Sequence, residues 1–448
     1  GEIESITQRY VGREVAIADL DEMVEEINAL YRQRNFPTAK AILPAQKVED
    51  GVVRIRLVEG RIGRVLVEGN ASSKASYFTR RVRLTPGDLV RLDDITSEVV
   101  RFNRVHDDQV AVQLRPGEEF GTTDCILIVQ EAPDQLIGFI DNAGRDETGL
   151  VRFGTTVLFT HALGYGDSFT VSAVLADGTR VGSVSYSIPL GVRGTRLSIG
   201  YDGSEVDVQS SGFGDIEIKS SSSDLHMELS FPLIVSKNVI AWGPVQFHHK
   251  RLDSTFSGVS LVGSVVRTVG AGLKVQWESP GLVWHSECDY QAGEVELGGE
   301  HSDKESSAFY KGGSSFAWQK AIGGKYSLTI KSAMQITKEQ LPASERFSVG
   351  GVSTVRGYPE GALIGDQGYF TSVELEVPIG SRLVGSLFLD HGGAFAASGS
   401  SAVMESGHLT GMGVGLSARI LPNLSCKVAY GMSRESSPRI HASLQTSF

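Results

Sequence analysis

The chain has 448 residues, with 42 Lys and Arg against 53 Asp and Glu, so its formal net charge is −11. This acidic balance excludes a dedicated nucleic-acid-binding protein, which would present a basic face. No stretch approaches the roughly 18 consecutive apolar residues that a transmembrane helix needs, whereas a transmembrane β-barrel, whose strands alternate apolar and polar residues, remains compatible with the composition.

The first 60 residues combine a helix and a strand. Apolar residues at i, i+3, i+4 and i+7 predict an amphipathic helix over residues 17–31, and Asn35 and Pro37 predict its end. Alternation over residues 51–60 predicts a strand. Gly1 opens directly into charged sequence, so no targeting peptide is expected there.

Residues 61–132 repeat and complete this pattern. The sequence predicts strands over residues 64–69, 109–114 and 123–129, and helices over residues 74–81 and 93–105. This order is typical of a small α+β domain. Residues 1–60 resemble the same unit without its opening strand. The composition changes near Pro133, which indicates a domain boundary at about 132–136.

From residue 135 onward, segments of about ten residues alternate between apolar and polar positions and are separated by turns rich in Gly, Asp and Ser. They predict about sixteen strands, as in an outer-membrane barrel; a soluble sandwich would also alternate. On the strand over residues 369–377, Glu374 and Glu376 share a face with Ser372. Two carboxylates facing lipid are unfavourable, so this face is expected to line the lumen.

The last strand favours the membrane barrel over the sandwich. Apolar or small residues recur at steps of two before Phe448, the final residue. This pattern resembles the C-terminal signal by which bacterial outer-membrane barrels are recognised for insertion.

No catalytic or metal-binding constellation is found in the sequence. The closest pair of histidines, His248 and His249, points to opposite faces of a strand. The three cysteines lie far apart, so neither a disulfide framework nor a structural zinc site is expected. Catalytic and nucleotide-binding motifs are missing. We therefore expect no enzyme, no cofactor and no metal.

One connection, residues 337–367, is far longer than a hairpin, and connections of that length are often functional. It contains Val355-Arg356-Gly357-Tyr358, followed by Gly361. The next strand contains Phe388-Leu-Asp390-His-Gly392. Together these motifs resemble those of the outer-membrane superfamily that joins POTRA domains to a barrel.

The N-terminal region narrows the resemblance to the two-partner secretion transporters, the TpsB family. The matching positions are Leu30-Tyr31-Arg32, Asn35-Phe36, Ala39-Lys40-Ala41, Leu43-Pro44-Ala45-Gln46, Asp50-Gly51 and Val58-Glu59-Gly60-Arg61-Ile62. The helix and linker that precede the first POTRA domain in this family are not matched. The resemblance implies a transmembrane antiparallel β-barrel of about 16 strands over residues 135–448, preceded by POTRA domains at 1–60 (incomplete at its N-terminus) and 61–132.

The resemblance also implies a function. The protein is expected to lie in the outer membrane of a Gram-negative cell, with its POTRA domains in the periplasm, and to export a large unfolded adhesin or haemolysin-like partner. The partner's N-terminal secretion domain, outer-membrane lipid and the barrel assembly machinery are the expected contacts. The alternative is an outer-membrane protein assembly factor, or insertase. A passive porin would have no use for POTRA domains.

In this family the long loop folds back into the lumen, which implies that Arg356 pairs with Asp390 and anchors the loop. Glu374 and Glu376 are second candidate partners. Gly357 and Gly361 would allow tight turns. The remaining motif residues are Val355, Tyr358, Phe388 and Gly392. The alternative is that Arg356 is a solvated loop residue.

The POTRA domains suggest a different chemistry, because an exposed strand edge can bind an extended segment by β-augmentation. The candidates are the strand over residues 109–114 and the helix over residues 93–105 beside it, with Arg91, Arg101 and Arg104 as polar contacts. Alternatively, these charges only solvate a helix face.

Overall fold

The structure, a computed structural model, describes residues 1–209, 217–257, 259–260, 263–298, 305–397, 406–434 and 436–448. It divides into two compact units. One comprises Gly1–Ala132 with Leu163–Gly166, and the other comprises Pro133–Ala162 with Asp167–Phe448. Within the described ranges, none of the helices is long and apolar enough to cross a membrane.

The first unit begins with a small α+β domain. Its elements are α1 (Glu2–Gln8), α2 (Ile17–Gln33), β1 (Lys40–Ile42) and β2 (Arg56–Val58). Asp19 accepts the backbone N–H of Ala16 at the start of α2, over 2.7 Å. Asn35 adopts a left-handed conformation with φ of 60° just after the helix. The predicted helix and its end are therefore confirmed.

The strand predicted over residues 51–60 is wrong in its length, since β2 covers only Arg56–Val58. Asp50 and Gly51 have φ of 52° and 72°, and Glu49 bridges to Val52. A tight turn occupies the start of the predicted strand, and positive φ is incompatible with extended backbone. Helix α1 and strand β1 were not predicted.

The second domain of this unit has the predicted order of elements. They are β3 (Arg61–Glu68), α3 (Ala75–Arg81), α4 (Leu92–Val105), β4 (Gln109–Pro116) and β5 (Thr122–Gln130). The sheet order is β3-β5-β4, with β3 parallel and β4 antiparallel to β5. Its core packs Tyr77, Phe78 and Phe102 of the helices against Val110 and Leu127 of the sheet. Strand β4 lies at an edge.

The second unit is a closed antiparallel barrel, with sixteen long strands in the described part of the chain. The strands are β6 (Gln135–Asp141), β7 (Arg152–Thr160), β8 (Ser168–Ala176), β9 (Thr179–Leu190), β10 (Thr195–Gln209), β11 (Glu217–Val235), β12 (Val239–Phe256), β14 (Gly263–Ser279), β15 (Leu282–Gly298), β16 (Glu305–Ile322), β17 (Tyr326–Thr337), β20 (Gln367–Pro378), β21 (Leu383–Phe395), β22 (Gly407–Leu421), β23 (Leu424–Ser433) and β24 (Arg439–Ser447). The two-residue β13 (Val259–Ser260) adds to the edge of β12. The predicted barrel is confirmed.

Alternation along the strands separates an apolar outer face from a polar lumen. On β11, Leu225, Met227 and Leu229 are exposed on the outside. Asp224 and His226, at the intervening positions, face inward. Because the side-chain period of a strand is two, each strand contributes to both faces.

The barrel closes between its last strand and its first. Residues of β24 pair with β6 in the register Ser443 to Asp141 and Ser447 to Ile137. The backbone of Phe448 exchanges two hydrogen bonds with Leu136, of 2.9 and 3.0 Å. The terminal residue thus extends the closing seam, and its side chain is exposed.

The long loop between β17 and β20 has secondary structure of its own. A 3₁₀ turn (Ala343–Glu345) precedes β18 (Phe347–Val349), which pairs with β19 (Leu363–Gly365) as a small antiparallel hairpin. The Val-Arg-Gly-Tyr motif lies in the connection between these two strands. The loop is therefore a folded element that presents its tip as a unit.

Candidate functional site

The centre of the site is the guanidinium of Arg356, near the tip of the long loop. Its Nε and Nη2 atoms donate to the two carboxylate oxygens of Asp390 on β21, over 2.7 and 2.9 Å. Its Nη1 atom donates to Glu374 Oε2 on β20 over 2.8 Å. One cation is therefore held by a bidentate carboxylate and by a second carboxylate.

Further contacts fix the orientation of this pair. Ser372 Oγ donates to Asp390 Oδ1 over 2.7 Å and accepts from Arg356 Nη2 over 3.2 Å. The backbone N–H of Arg356 also donates to Asp390 Oδ2, over 3.1 Å. The guanidinium carbon lies 3.4 Å from the centroid of the Phe388 ring. Both the main chain and the side chain of the loop tip are thus bound to the lumenal wall.

The network is buried, with Asp390 0% and Arg356 6% exposed. Burial by itself lowers the pKa of Arg356, but the carboxylates of Asp390 and Glu374 outweigh it and raise the pKa above its ordinary value. The guanidinium stays charged. Each member of such a buried ion pair depends on the other for compensation of its charge.

The apolar residues of the motif pack the loop tip against the barrel wall. Val355 and Tyr358 are buried in one cluster with Leu363 of the loop. Ala394 of β21 and Leu409 of β22 complete this cluster from the wall. The motif therefore supplies both the charged contact and the apolar contact between loop and barrel.

Glycines make this close approach possible. Gly357 and Gly361 have φ of 95° and 68°, a conformation that L side chains rarely adopt. On the wall, a Cβ at Gly411 would overlap the carbonyl oxygen of Arg356, and one at Gly431 would lie 2.6 Å from the backbone nitrogen of Gly357. The missing side chains of β22 and β23 leave the space that the tip occupies.

A second buried carboxylate, Glu345, holds the first part of the loop. Lys250 Nζ on β12 donates to its Oε1 over 2.6 Å, and Lys311 Nζ on β16 lies 2.8 Å from its Oε2. Burial raises the pKa of Glu345, but Lys311 and Lys250 outweigh burial and hold the pKa below the ordinary range. The loop is thus bound to both sides of the lumen.

The two ends of the loop are also tied together. Asp366, which is fully buried, accepts the backbone N–H groups of Leu341 and Ala397, each over 3.0 Å. The Gln335 side chain donates to the carbonyls of Glu345 and Asp366, each over 2.9 Å. The base of the loop is therefore fixed beside the strands from which it leaves.

Acidification is expected to loosen the first part of the loop. Because the pKa of Glu345 in the folded protein lies below that of a free glutamate, its ion pairs contribute fully above the free pKa. They are lost as pH falls below the ordinary pKa of a glutamate and through the lowered value. A nitroxide label at the exposed Ala343, with the native cysteines replaced, should become more mobile below that pH.

The matched control for this titration is Glu345→Gln, which keeps the shape of the side chain but does not titrate. A nitroxide at Ala343 of this variant should show no change in mobility that comes from titration at position 345. A transition of the same size and midpoint in wild type and E345Q would contradict the assigned role of Glu345.

The remaining motif residues lie around the same network. Phe388 supports the guanidinium, and a Cβ at Gly392 would lie 2.9 Å from Val349 of the loop. Among the described residues, the side chain of Arg356 bonds to Asp390, Glu374 and Ser372, so Glu376 is not its partner. Glu376 lies two positions further along β20, opposite Ser386.

The arginines proposed for partner capture have contacts inside the first unit. Arg101 donates to Glu98 over 2.7 Å and is only 16% exposed. The guanidinium carbon of Arg91 lies 5.7 Å from the centroid of the Phe36 ring. Arg104 is partly buried in the last turn of α4. These contacts give Arg91 and Arg101 structural roles that the sequence pattern did not suggest.

Several residues of the site were missed by the sequence reasoning. They are Lys250, Lys311, Glu345, Asp366, Ser372, Gly411 and Gly431. The alternation of inward- and outward-facing positions on β12 could have indicated that Lys250 faces the lumen. Its pairing with a loop residue 95 positions away has no local signal.

Comparison with known proteins supplies a family. Residues 123–418 match the model described as haemolysin secretion/activation protein ShlB/FhaC/HecB. Residues 1–60 match the POTRA domain of ShlB type. The first match covers well over half of the chain.

The chain belongs to the haemolysin secretion/activation protein family.

Curated relatives agree with this assignment, and solved structures share the fold. The heme/hemopexin transporter protein HuxB of Haemophilus influenzae is 24% identical over 437 residues, which cover 93% of this chain and 77% of that protein. CdiB from Escherichia coli has a TM-score of 0.72 at 20% identity, covering 100% of this chain and 87% of that one. BamA from Haemophilus ducreyi lacking POTRA domains 1–3 has a TM-score of 0.61 at 14% identity, covering 98% and 95%. These structural similarities show the fold.

The predicted function is confirmed at the level of the family. The protein is an outer-membrane translocator of a two-partner secretion system, with its barrel in the outer membrane and its POTRA region in the periplasm. It acts on a secreted partner protein. The relatives favour this function over that of an assembly factor.

Proposed function

We propose that this transporter exports one large, unfolded β-helical protein of the adhesin or haemolysin class and binds it through an N-terminal secretion domain. The observation that supports this most directly is the buried contact of Arg356 with Asp390 and Glu374. It holds a folded loop against the inner wall by noncovalent bonds only. Such a loop can be displaced and can return, as passage of a chain requires.

The polar lumenal wall supports passage of an extended chain. Gln246 and Lys274 both donate to Glu228, over 2.9 and 3.0 Å, so a hydrogen-bonded polar surface spans β11, β12 and β14. A wall of this kind can exchange hydrogen bonds with an unfolded backbone without offering a large apolar surface on which it would stall.

The edge of β4 supports partner capture. Asn103 of α4 bonds both the N–H and the C=O of Val110, over 2.8 and 3.0 Å, so these groups point away from β5. In an antiparallel pair, the backbone N–H and C=O groups of successive residues point alternately to the two sides of the strand. Every second residue after Val110 therefore directs these groups to the outer edge as Val110 does, which includes Val112 and Leu114. Pro116 has no N–H. We therefore place the binding edge at Val112–Leu114.

Val112→Pro is expected to weaken binding of the partner's secretion domain by tenfold or more. The loss of one or two hydrogen bonds would cost a free energy of about that size. Proline removes the outward N–H but is tolerated on an edge strand. The affinity of the purified POTRA-containing transporter for the secretion domain is the measurement. Val112→Ala, which loses packing but keeps the N–H, is the control. Equal weakening by V112P and V112A would contradict the edge assignment.

We further propose that the protein has no enzymatic activity of its own. Folding of the partner outside the cell would then supply the driving force for export. The outer face of the barrel would contact outer-membrane lipid, and the strand ending at Phe448 would be recognised by the barrel assembly machinery during biogenesis.

Deletion of the gene in the native host tests the proposed function. Quantitative protein profiles of the culture supernatant and the outer membrane should show loss of one large extracellular protein, with the membrane profile unchanged. That result would also identify the partner. A broad fall in other barrel proteins would instead indicate an assembly factor.

A further inference from the structure

We propose that the lumenal wall carries a binding site for a divalent transition-metal ion, with Zn²⁺ as the probe, formed by Asp224, His226 and His248. The three residues lie on the inward faces of β11 and β12. One ligand atom from each lies within 4.8 Å of the other two. The site is separate from the Arg356 network.

The cluster combines two imidazoles with carboxylates across three strands. His226 and His248 are directly paired, and their rings stack with centroids 5.7 Å apart. His248 Nδ1 lies 2.9 Å from Asp224 Oδ2. On β10, Asp202 Oδ2 lies 3.2 Å from His226 Nδ1. Imidazole nitrogens with one or two carboxylate oxygens form a ligand set that Zn²⁺ favours.

The cluster also contains polar atoms that the protein does not satisfy. Asp224 Oδ1 and His226 Nδ1 are buried atoms that make no hydrogen bond to any described residue, since the approach of Asp202 does not have hydrogen-bond geometry. Such atoms are rare in folded proteins. A bound cation would use Asp224 Oδ1 and would bring the neighbouring imidazole into coordination.

Access to the cluster is open. The side chains of His226 and His248 retain 27% and 26% of their exposure, so an ion can enter from the lumen. Gly200 faces His226 across β10 and β11, and a Cβ there would overlap the imidazole Nε2. Glycine at this position therefore leaves room at the second ring nitrogen.

Only a small rearrangement is needed for binding. Zinc bonds of about 2.0–2.2 Å place tetrahedral ligand atoms roughly 3.4 Å apart. The candidate ligand atoms of Asp224, His226 and His248 lie within 4.8 Å of one another, so they must move closer together. Rotations about the side-chain bonds can close this difference, because all three residues are fixed on adjacent paired strands. The bound ion would link β11 to β12 beside Lys250, which holds the long loop.

No metal site was expected from the sequence because His248 and its neighbour His249 point to opposite faces of the strand, and the structure agrees on this point. The partner of His248 is instead His226, opposite it on the next strand. His249 pairs with Leu225, which is exposed on the outer face. It therefore provides a matched control, a histidine on the same strand but outside the lumen.

The test is calorimetric titration of Zn²⁺ into the purified full-length protein in detergent. The protein is stripped of metal with chelator and carries no polyhistidine tag. Wild type and His249→Ala should bind one equivalent. His248→Ala and Asp224→Asn should weaken binding by about a hundredfold or more, because even outer-shell substitutions cost 10- to 100-fold. Absence of one-to-one binding by wild type, or wild-type binding by H248A, would overturn the proposal.

Folding of each variant is checked by heat-modifiable migration of the barrel. If a variant does not fold, diethyl pyrocarbonate footprinting of the wild-type protein decides the question. Zn²⁺ should protect His226 and His248 and leave His249 unchanged. Protection elsewhere, without protection of these two, would refute the assigned site.

Discussion

Replacing Arg356 with alanine is expected to reduce export of the partner to a background level while the barrel still inserts. The change leaves the buried carboxylates of Asp390 and Glu374 without their cation. Removing one member of a buried ion pair typically costs about 3–5 kcal/mol. At about 1.4 kcal/mol per tenfold, docking of the loop weakens by more than a hundredfold.

Weaker docking would impair export because the proposed cycle requires the loop to return to its place on the wall after displacement, and a loop that cannot return stays in the lumen as an irregular chain attached at both ends. The measurement is partner protein in the supernatant, normalised to the amount of inserted, heat-modifiable transporter. Single-channel recordings should also show a less stable closed state. Both changes follow from loss of the docked loop rather than from loss of the barrel.

Two variants sharpen the interpretation. Arg382→Ala removes an exposed arginine near the start of β21 and should export at the wild-type level. Arg356→Lys keeps the charge but lacks the planar fork of donors that bonds both oxygens of Asp390 while also reaching Glu374, so we expect intermediate export. If normally inserted R356A secreted as much partner as wild type, Arg356 would have no role in export.

Gly411→Ala is expected to impair export in the same way as Arg356→Ala, but less severely and without changing any charge. A Cβ at this position would overlap the carbonyl oxygen of Arg356, so the loop tip cannot keep its place on β22. Overpacking of this kind typically costs about 1–3 kcal/mol. We expect export to fall by about fivefold or more, because the lower end of that range, about 1 kcal/mol, corresponds to about fivefold.

The control for this change is another glycine in a barrel strand. At Gly182 on β9, an added Cβ would meet no atom of the described residues within 4 Å, so Gly182→Ala should insert and export normally. Equal export by G411A and G182A would show that contact between the loop tip and β22 is not required. A common insertion defect in both variants would instead point to general sensitivity of the strands.

Local patterns in the sequence were sufficient for most of the architecture. Apolar residues recur with the period of a helix over residues 17–31 and with the alternation of a strand after residue 135. They do so because one face of each element is buried, and the residues on that face repeat with the period of the backbone. The same alternation placed Glu374 in the lumen. It failed at residues 51–60, where positive φ at Asp50 and Gly51 interrupts an apparently regular strand.

The functional residues divide in the same way. Arg356 and Asp390 were paired on the basis of motifs that resemble those of a known family, and the inward phase of β21 is consistent with that pairing. Nothing local indicates that Lys250 and Lys311 meet Glu345, or that Gly411 leaves space for the loop tip.

The sequence by itself determined the class of the protein, its strands and the faces of those strands, because these depend on neighbours within a few residues. The tertiary structure decided which inward residues meet. The pairing of His226 with His248, and of Glu345 with two strands, depends on the register between strands and on the path of the loop. Register is set by closure and packing of the whole barrel, so no short segment encodes it.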